Sequence, residues 1–263
     1  MKHKLLNTFC SILLLLTSTG SYANDPSTIS TQSGTSTIAV LELYTSEGCS
    51  NCPAAEKYLK EMVEQYSGKK QFIPLAFHVD YWDYIGWEDP FSDPQFGTRQ
   101  RTIALRNKLN SLYTPQFVLY GQDFPSYQNI PEAIGIINDI KPQASISLKA
   151  TLTGLKLDTN IVVEAKNERS KHYADVFIAV AENNLSSKVT DGENEGLHLQ
   201  HGYVVRHFLG PFSLNGKDKL DINKTIELKK EWKLADLNLV VFAQDKVDGT
   251  THQAVQVPLS RPK

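Results

Sequence analysis

The chain has 263 residues, 41% of them hydrophobic and 21% charged, which is enough apolar content to bury a sizeable core and excludes disorder as the overall state. Lys and Arg number 27 against 29 Asp and Glu, for a formal net charge of -2, and no long basic run is present to neutralise a phosphate backbone, so nucleic acid is not an expected partner. At this length two domains are favoured over one.

The first segment reads as an address. Met1 to Lys4 is basic, Leu5 to Leu16 is mostly apolar, and Ser21-Tyr22-Ala23 places small residues where a signal peptidase cuts, so residues 1–23 are read as a removed export signal. Its apolar run is too short to span a bilayer, and no later segment is long enough, so no stable membrane insertion is expected after signal removal. Cys10 lies inside the signal without the small-residue context of a lipoprotein cleavage site, which favours release into the periplasm or medium over a lipid anchor. Residues 24–36 are rich in Ser and Thr, with Ile29 as their one aliphatic residue, and are expected to form a flexible lead-in.

Order is expected from Thr37 onward. Ile38 to Tyr44 is a near-continuous apolar strand interrupted by Glu42, of the kind buried on both faces in an α/β sheet. Behind Pro53, the residues Ala55, Tyr58, Leu59, Met62, Val63 and Tyr66 mark an amphipathic helix. Pro74 to Val79 predicts a second strand, followed by an aromatic and acidic loop from Asp80 to Trp87. A helix is expected from Pro94, capped by Asp93, to about Asn110, with Arg99, Arg101, Arg106 and Lys108 on its solvated face. Thr114-Pro115 opens a short strand through Tyr120, and Ile130, Ala133, Ile134, Ile137 and Ile140 have helical spacing. After Lys141-Pro142, apolar residues alternate in repeated short runs, such as Ile146, Leu148, Ala150 and Val176, Ile178, Val180. That period predicts a seven- or eight-stranded antiparallel sandwich over 142–263, behind an α/β domain over 37–141.

With Cys10 removed, Cys49 and Cys52 remain as neighbours in an oxidising compartment and can pair only with each other. A staple closing so small a loop contributes only ~2 kcal/mol on the chain-entropy account. The spacing therefore favours a redox pair over a short disulfide that never turns over. A strand feeding Cys49-Ser50-Asn51-Cys52 and then a helix puts the first thiol where the helix N-terminus stabilises thiolate. Cys49 is the expected attacking sulfur, and Cys52 the one that resolves a mixed disulfide.

The run Leu41 to Pro53 resembles the active-site segment of the thioredoxin fold. Val40 to Pro53, Phe77 to Asp83, Tyr113 to Gln116, Gly192-Glu193-Asn194 and Val204-Val205-Arg206 together resemble the secreted domain-of-unknown-function 1223 family. The resemblance implies a thioredoxin-like N-terminal domain, a β-rich C-terminal part and activity on protein thiols. It also implies that Pro115, after Thr114, is cis, faces the cysteines and shapes a peptide-binding surface. Glu42 is similar to the buried acid that assists the second cysteine in thioredoxins, but it stands one residue further from the first cysteine; without a bulge its side chain points to the opposite face.

His78 and Asp80 fall at the carboxyl end of a strand, where open sheets build sites, and with Trp82 could contact substrate or tune Cys49. The alternative is that His78 caps the strand while Tyr81, Trp82, Tyr84 and Trp87 pack over the domain junction. One CxxC and one histidine fall short of the four ligands of a structural zinc site. Glu193, Glu195, His198, His201 and His207 match no metal motif and read as solvated surface, with Gly192-Glu193-Asn194 and Arg206 organising a loop against a strand. No cofactor and no metal are therefore expected. The reading is an exported thiol–disulfide oxidoreductase acting on protein thiols. The alternative is a noncatalytic periplasmic binding or scaffold protein with a permanent Cys49-Cys52 disulfide.

Overall fold

A computed structural model describes residues 26–66, 68 and 71–260; the export signal read at 1–23, with Cys10, lies outside the described residues. The Ser/Thr-rich segment is not a free lead-in. It contains strand β1 (Ser27–Gln32), whose Ile29 packs against the core of the second half of the chain. The apolar run that follows forms β2 (Ala39–Thr45), buried at every position. Helix α1 (Cys52–Tyr66) crosses over to β3 (Phe72–His78), which lies parallel to β2 with Thr45 opposite His78. The aromatic loop contains a 3-10 turn, Asp80–Ile85, and leads into α2 (Pro94–Arg106), where the Asp93 side chain accepts the Gln95 amide at 2.9 Å. Then come β4 (Gln116–Leu119), antiparallel to β2, the short β5 (Gln122–Asp123) and α3 (Ile130–Asn138).

The second half supplies β6 (Ala144–Thr153), β7 (Lys156–Ala165), the short helix α4 (Glu168–Tyr173), β8 (Ala174–Glu182), β9 (Leu185–Lys188) and β10 (His198–His201). It ends with β11 (Val204–Ser213), β12 (Lys219–Glu227), β13 (Leu237–Asp245) and β14 (Thr251–Pro258). Strands β1, β6, β7 and β12 form an antiparallel four-stranded sheet, with Ser27 opposite Leu152 and Gln32 opposite Ser147. Strands β9 and β10 form a hairpin.

The expected α/β thioredoxin-like N-terminal domain beside a separate all-β sandwich-like domain is not what forms. A single mixed sheet of eight strands, in the order β14-β13-β8-β11-β3-β2-β4-β5, runs through both halves. The join is parallel pairing of β11 with β3: Val204 stands opposite Ala76, and the Ala76 amide donates to the Tyr203 carbonyl at 2.8 Å. Without it β3, buried on both faces, would present a bare edge. The four-stranded sheet packs on the outer part of this sheet through Ile146, Leu148, Val176, Ile178 and Val241. The four-stranded sheet thus faces a mixed sheet that continues into the first half of the chain. The alternation read in β8 concealed this, because Phe177, Ala179 and Ala181 between the expected inward residues are also buried.

Those residues line a core shared by both halves, together with Val40, Tyr44, Phe77 and Phe96 on one side and Phe208 and Phe242 on the other. Phe77 meets Phe208 at 5.4 Å between ring centroids, and Phe177 stacks on Phe242 at 5.2 Å. Arg99 enters this apolar layer instead of lying on a solvated helix face. It is 8% exposed and donates to Glu42 through Nε at 2.8 Å and Nη2 at 2.6 Å, and to Gln244 at 3.2 Å. The rings of Phe177 and Phe208 lie 4.7 and 5.2 Å from its guanidinium carbon. Burial works against the Arg99 charge, but Glu42 and Tyr44 outweigh it and hold the pKa above its ordinary value.

Arg99→Ala leaves the Glu42 carboxylate buried without its cation, and denaturant unfolding of the variant should show a loss of about 3 to 5 kcal/mol. The double variant Glu42→Gln/Arg99→Met, which removes both charges, should lose distinctly less. Equal losses would mean that the two side chains are not energetically coupled.

Candidate functional site

The carboxyl end of β2 turns through Ser46 to Asn51 into α1, and Cys52 is the first residue of the helix. The Cys49 amide donates to the Ser46 carbonyl at 3.2 Å and the Cys52 amide to the Cys49 carbonyl at 3.1 Å, which folds the four-residue segment tightly enough to bring the Cα atoms within 5.4 Å. The two cysteines are joined as a disulfide. Gly48 sits in a tight space: a Cβ there would come within 3.2 Å of both Ile85 Cδ1 and Trp82 Cβ.

The disulfide is covered. Cys49 is 2% exposed and Cys52 is fully buried. The cover is the loop after β9, closed on itself by hydrogen bonds from the Val189 amide to the Leu197 carbonyl and from the Gly196 amide to the Val189 carbonyl. Asn194 Nδ2 donates to the carbonyls of Glu47 at 2.7 Å and Cys49 at 3.0 Å, and Glu193 Oε2 accepts the Ser50 amide at 3.0 Å. The bond from Ser50 holds the Glu193 carboxyl below its ordinary range. Gly192 packs on Trp87 and Ile85, tying the cover to the aromatic loop.

Of the site residues expected from sequence, Trp82 and Thr114 come together on the cysteine loop. Trp82 packs on Gly48 and donates its Nε1–H to Thr114 Oγ1 at 2.7 Å. The Thr114-Pro115 peptide is cis and half-buried. Glu42 faces α2 with Val40 and Tyr44, whereas Leu41 and Leu43 face α1, so strand parity turns it away from the helix that carries Cys52. Its carboxylate is committed to Arg99 and to the Tyr44 hydroxyl at 2.7 Å. Asp80 lies against α2, its Oδ1 3.0 Å from where a Gly97 Cβ would stand. Of the aromatics expected to pack over a junction, Tyr84 is instead 84% exposed.

Beside the disulfide lies a buried polar network that the sequence reading did not assemble. Glu47, fully buried, accepts hydrogen bonds from Trp87 Nε1 at 2.7 Å and from the Ser187 hydroxyl, and pairs with His201 Nε2 at 2.8 Å. His201 Nδ1 meets Glu56 Oε2 at 2.5 Å, and Glu56 Oε1 accepts from the Thr45 hydroxyl at 2.8 Å. Next to them His78 is held through Nδ1 by Asp89 Oδ2 at 2.7 Å, and Asp89 also accepts the Glu47 amide at 2.8 Å. The two imidazole rings stand 5.1 Å apart. Burial opposes protonation of His201, but its hydrogen bonds to the Glu47 and Glu56 carboxylates prevail and push its pKa up to about 10. The same contacts override burial to hold Glu56 below the usual carboxylate range, and His78 does so for Asp89.

His201 thus belongs to the interior, not to solvated surface, while Glu195 and His198 are exposed as expected. Its signal was parity: His198-Leu199-Gln200-His201 places His201 on the face of Leu199, which points inward. Glu56 carried a signal too, one helical turn after Cys52 and on the same side of α1. Arg206 pairs with Glu182 at 3.1 Å, not with the Gly192-Glu193-Asn194 loop, which Asn194 instead ties to the cysteines.

The fold and site define a mixed β-sheet protein with a covered disulfide at a helix N-terminus. The chain belongs to the family described as protein of unknown function DUF1223, whose model matches residues 40–244. No curated protein matches it. Among solved structures it is similar to a structural-genomics crystal structure of an Agrobacterium tumefaciens protein, at 19% identity and a TM-score of 0.59, covering 88% of this chain and 98% of that one. It is also similar to HBP35 of Porphyromonas gingivalis, at 15% identity and a TM-score of 0.63, covering 86% of this chain and 76% of that one. At these identities the likeness is one of fold alone.

Trp87→Phe keeps the ring but removes the donor to the buried Glu47 Oε2, and should cost about 1 to 3 kcal/mol in denaturant unfolding. A stability unchanged from the parent would mean that Glu47 does not depend on that bond.

Proposed function

We propose that this is an exported protein of the periplasm or medium that exchanges its Cys49-Cys52 disulfide with thiols of other polypeptides. The observation that carries the reading is the disulfide's position at the start of the 15-residue helix α1, in the CxxC spacing. Amides at a helix N-terminus have no intrahelical acceptor, and with the helix dipole they favour a cysteine thiolate over the thiol. A partner thiolate attacks the Cys49 sulfur, the Cys49-Cys52 bond breaks, and Cys52 leaves as thiolate. Either Cys52 returns to expel the partner, or a second partner thiol attacks the mixed disulfide and leaves with a new disulfide, so that two electrons pass to the cysteine pair. Trp82, which packs on Gly48, and Thr114, bonded to it, with Pro115 next in the chain, are the surface on which the partner would lie.

Burial of both sulfurs favours a second reading, a noncatalytic binding or scaffold protein in which the disulfide is permanent. The two differ in whether the 189–197 loop leaves Cys49. Asn194→Ala removes two of the hydrogen bonds that hold the cover, each of which contributes about 1 kcal/mol net, so the rate of disulfide reduction by a small dithiol should rise about tenfold or more. Thiol trapping and mass measurement read this directly. Wild-type protein should also catalyse reduction of a protein disulfide such as insulin, and Cys49→Ser should not. A reduction rate unmoved by Asn194→Ala, together with equal activity of wild type and Cys49→Ser, would leave the permanent disulfide standing.

A further inference from the structure

We infer that Glu56, His78 and His201 form a binding site for a divalent transition-metal ion of the zinc class, beside the disulfide but independent of it. One ligating atom from each of the three lies within 4.8 Å of the others. Both imidazoles are buried, and the Glu56 side chain is 8% exposed.

The arrangement around each group is that of a ligand already oriented. His78 uses Nδ1 on Asp89, and its Nε2 is buried with no hydrogen-bond partner. A buried ring nitrogen without a partner is costly in a protein interior, and a metal ion would satisfy it. His201 pairs through Nε2 with Glu47, which turns Nδ1 toward Glu56. Glu56 Oε2 is the oxygen facing His201, while Oε1 is fixed by the Thr45 hydroxyl. Two histidines each backed by a carboxylate, and one carboxylate backed by a hydroxyl, supply the outer contacts that metal-binding side chains need.

Charge points the same way. Glu47, Glu56 and Asp89 bring three carboxylates into a region that contains two imidazoles and, among the described residues, no Lys or Arg ion pair to any of the three. Two nitrogens and one oxygen suit zinc-class ions better than calcium or magnesium, which prefer all-oxygen sets. Three protein ligands leave one tetrahedral position for water or a small ligand. A surface cavity of about 480 Å³, lined by Pro53, Glu56, Lys60, Gln200, His201 and Tyr203, borders two of the three residues, and His78 lies behind them.

The test uses the untagged mature chain, stripped with chelator, loaded with zinc chloride and desalted, with zinc counted by mass spectrometry. One equivalent is expected. It should survive in the double variant Cys49→Ser/Cys52→Ser, which separates this site from thiolate binding and from the exchange reaction proposed above. Affinity should fall at least about tenfold in His78→Gln, since even outer-contact losses weaken metal sites by that much. Cobalt(II) added to stripped wild type should give the visible bands of a four-coordinate nitrogen and oxygen site without a thiolate charge-transfer band. This keeps the site testable should His78→Gln fail to fold. Wild type that retains no zinc, a cobalt spectrum like that of the hydrated ion, or zinc binding lost with the cysteines would each overturn the inference.

Discussion

The site exists because β11 pairs in parallel with β3. The contact is short, one register pair and the bond from the Ala76 amide to the Tyr203 carbonyl, yet it fixes where the second half of the chain sits. Residues just before β11 form the β9–β10 hairpin, and His201 ends that hairpin three residues before Val204. His78 ends β3 on the adjacent strand. Zipping the two strands together therefore delivers two histidines from distant parts of the sequence to the same sheet end. It also places the 189–197 loop over a disulfide that belongs to the other half. Docking two separately folded domains through an ordinary polar interface would not hold these groups to hydrogen-bond distances.

Around that join two of the buried ionic clusters are built differently. Glu42 and Arg99 form a closed pair: the guanidinium satisfies the carboxylate through two nitrogens, and aromatic rings enclose what remains. The carboxylates near the disulfide are satisfied by imidazoles, a tryptophan, hydroxyls and amides instead of by Arg or Lys. The first arrangement is saturated and has no coordinating atom to spare. The second retains a buried imidazole nitrogen without a partner, which is why the two clusters differ in chemistry although both are interior and ionic.

Local features were legible in the sequence and long-range ones were not. The β2–α1 unit, the Asp93 cap and the pairing of Cys49 with Cys52 follow from periodicity, capping chemistry and elimination, all of which act within a few residues. In β8, Val176, Ile178 and Val180 alone have the alternation of a half-buried strand in a separate β domain, while the intervening Phe177, Ala179 and Ala181 mark a strand covered on both faces. Arg99 was assigned to solvent by its charge, although Phe96, Gln100 and Ile103 place it on the buried stripe of α2. His201 was set aside for the same reason, its charge outweighing its parity with Leu199. For Arg99 and His201 a polar residue type overrode a geometric pattern that was correct. The pairing of β11 with β3 left no comparable mark, since which strand completes an edge is decided by the folded sheet and not by the strand's own composition.

The cover over the disulfide explains how one geometry accommodates both readings of its chemistry. Three hydrogen bonds, two from Asn194 and one to Glu193, join the loop to the cysteine turn, and all three end on backbone groups. At about 1 kcal/mol net for each, they hold the loop closed by roughly 3 kcal/mol, which corresponds to an open fraction on the order of one per cent. Packing of Gly192 against Ile85 and Trp87 deepens that preference. The loop is braced by its own backbone bonds, from the Val189 amide to the Leu197 carbonyl and from the Gly196 amide to the Val189 carbonyl, and these are separate from the ladders that pair β9 with β10 and β11 with β3. A partner that presented its own acceptors and donors to the Glu47 and Cys49 carbonyls and the Ser50 amide would replace what the loop supplies and keep the turn intact. The loop's hold on the cysteine turn thus rests on these contacts, whereas the placement of the cysteines at the start of α1 follows from the β2–α1 connection.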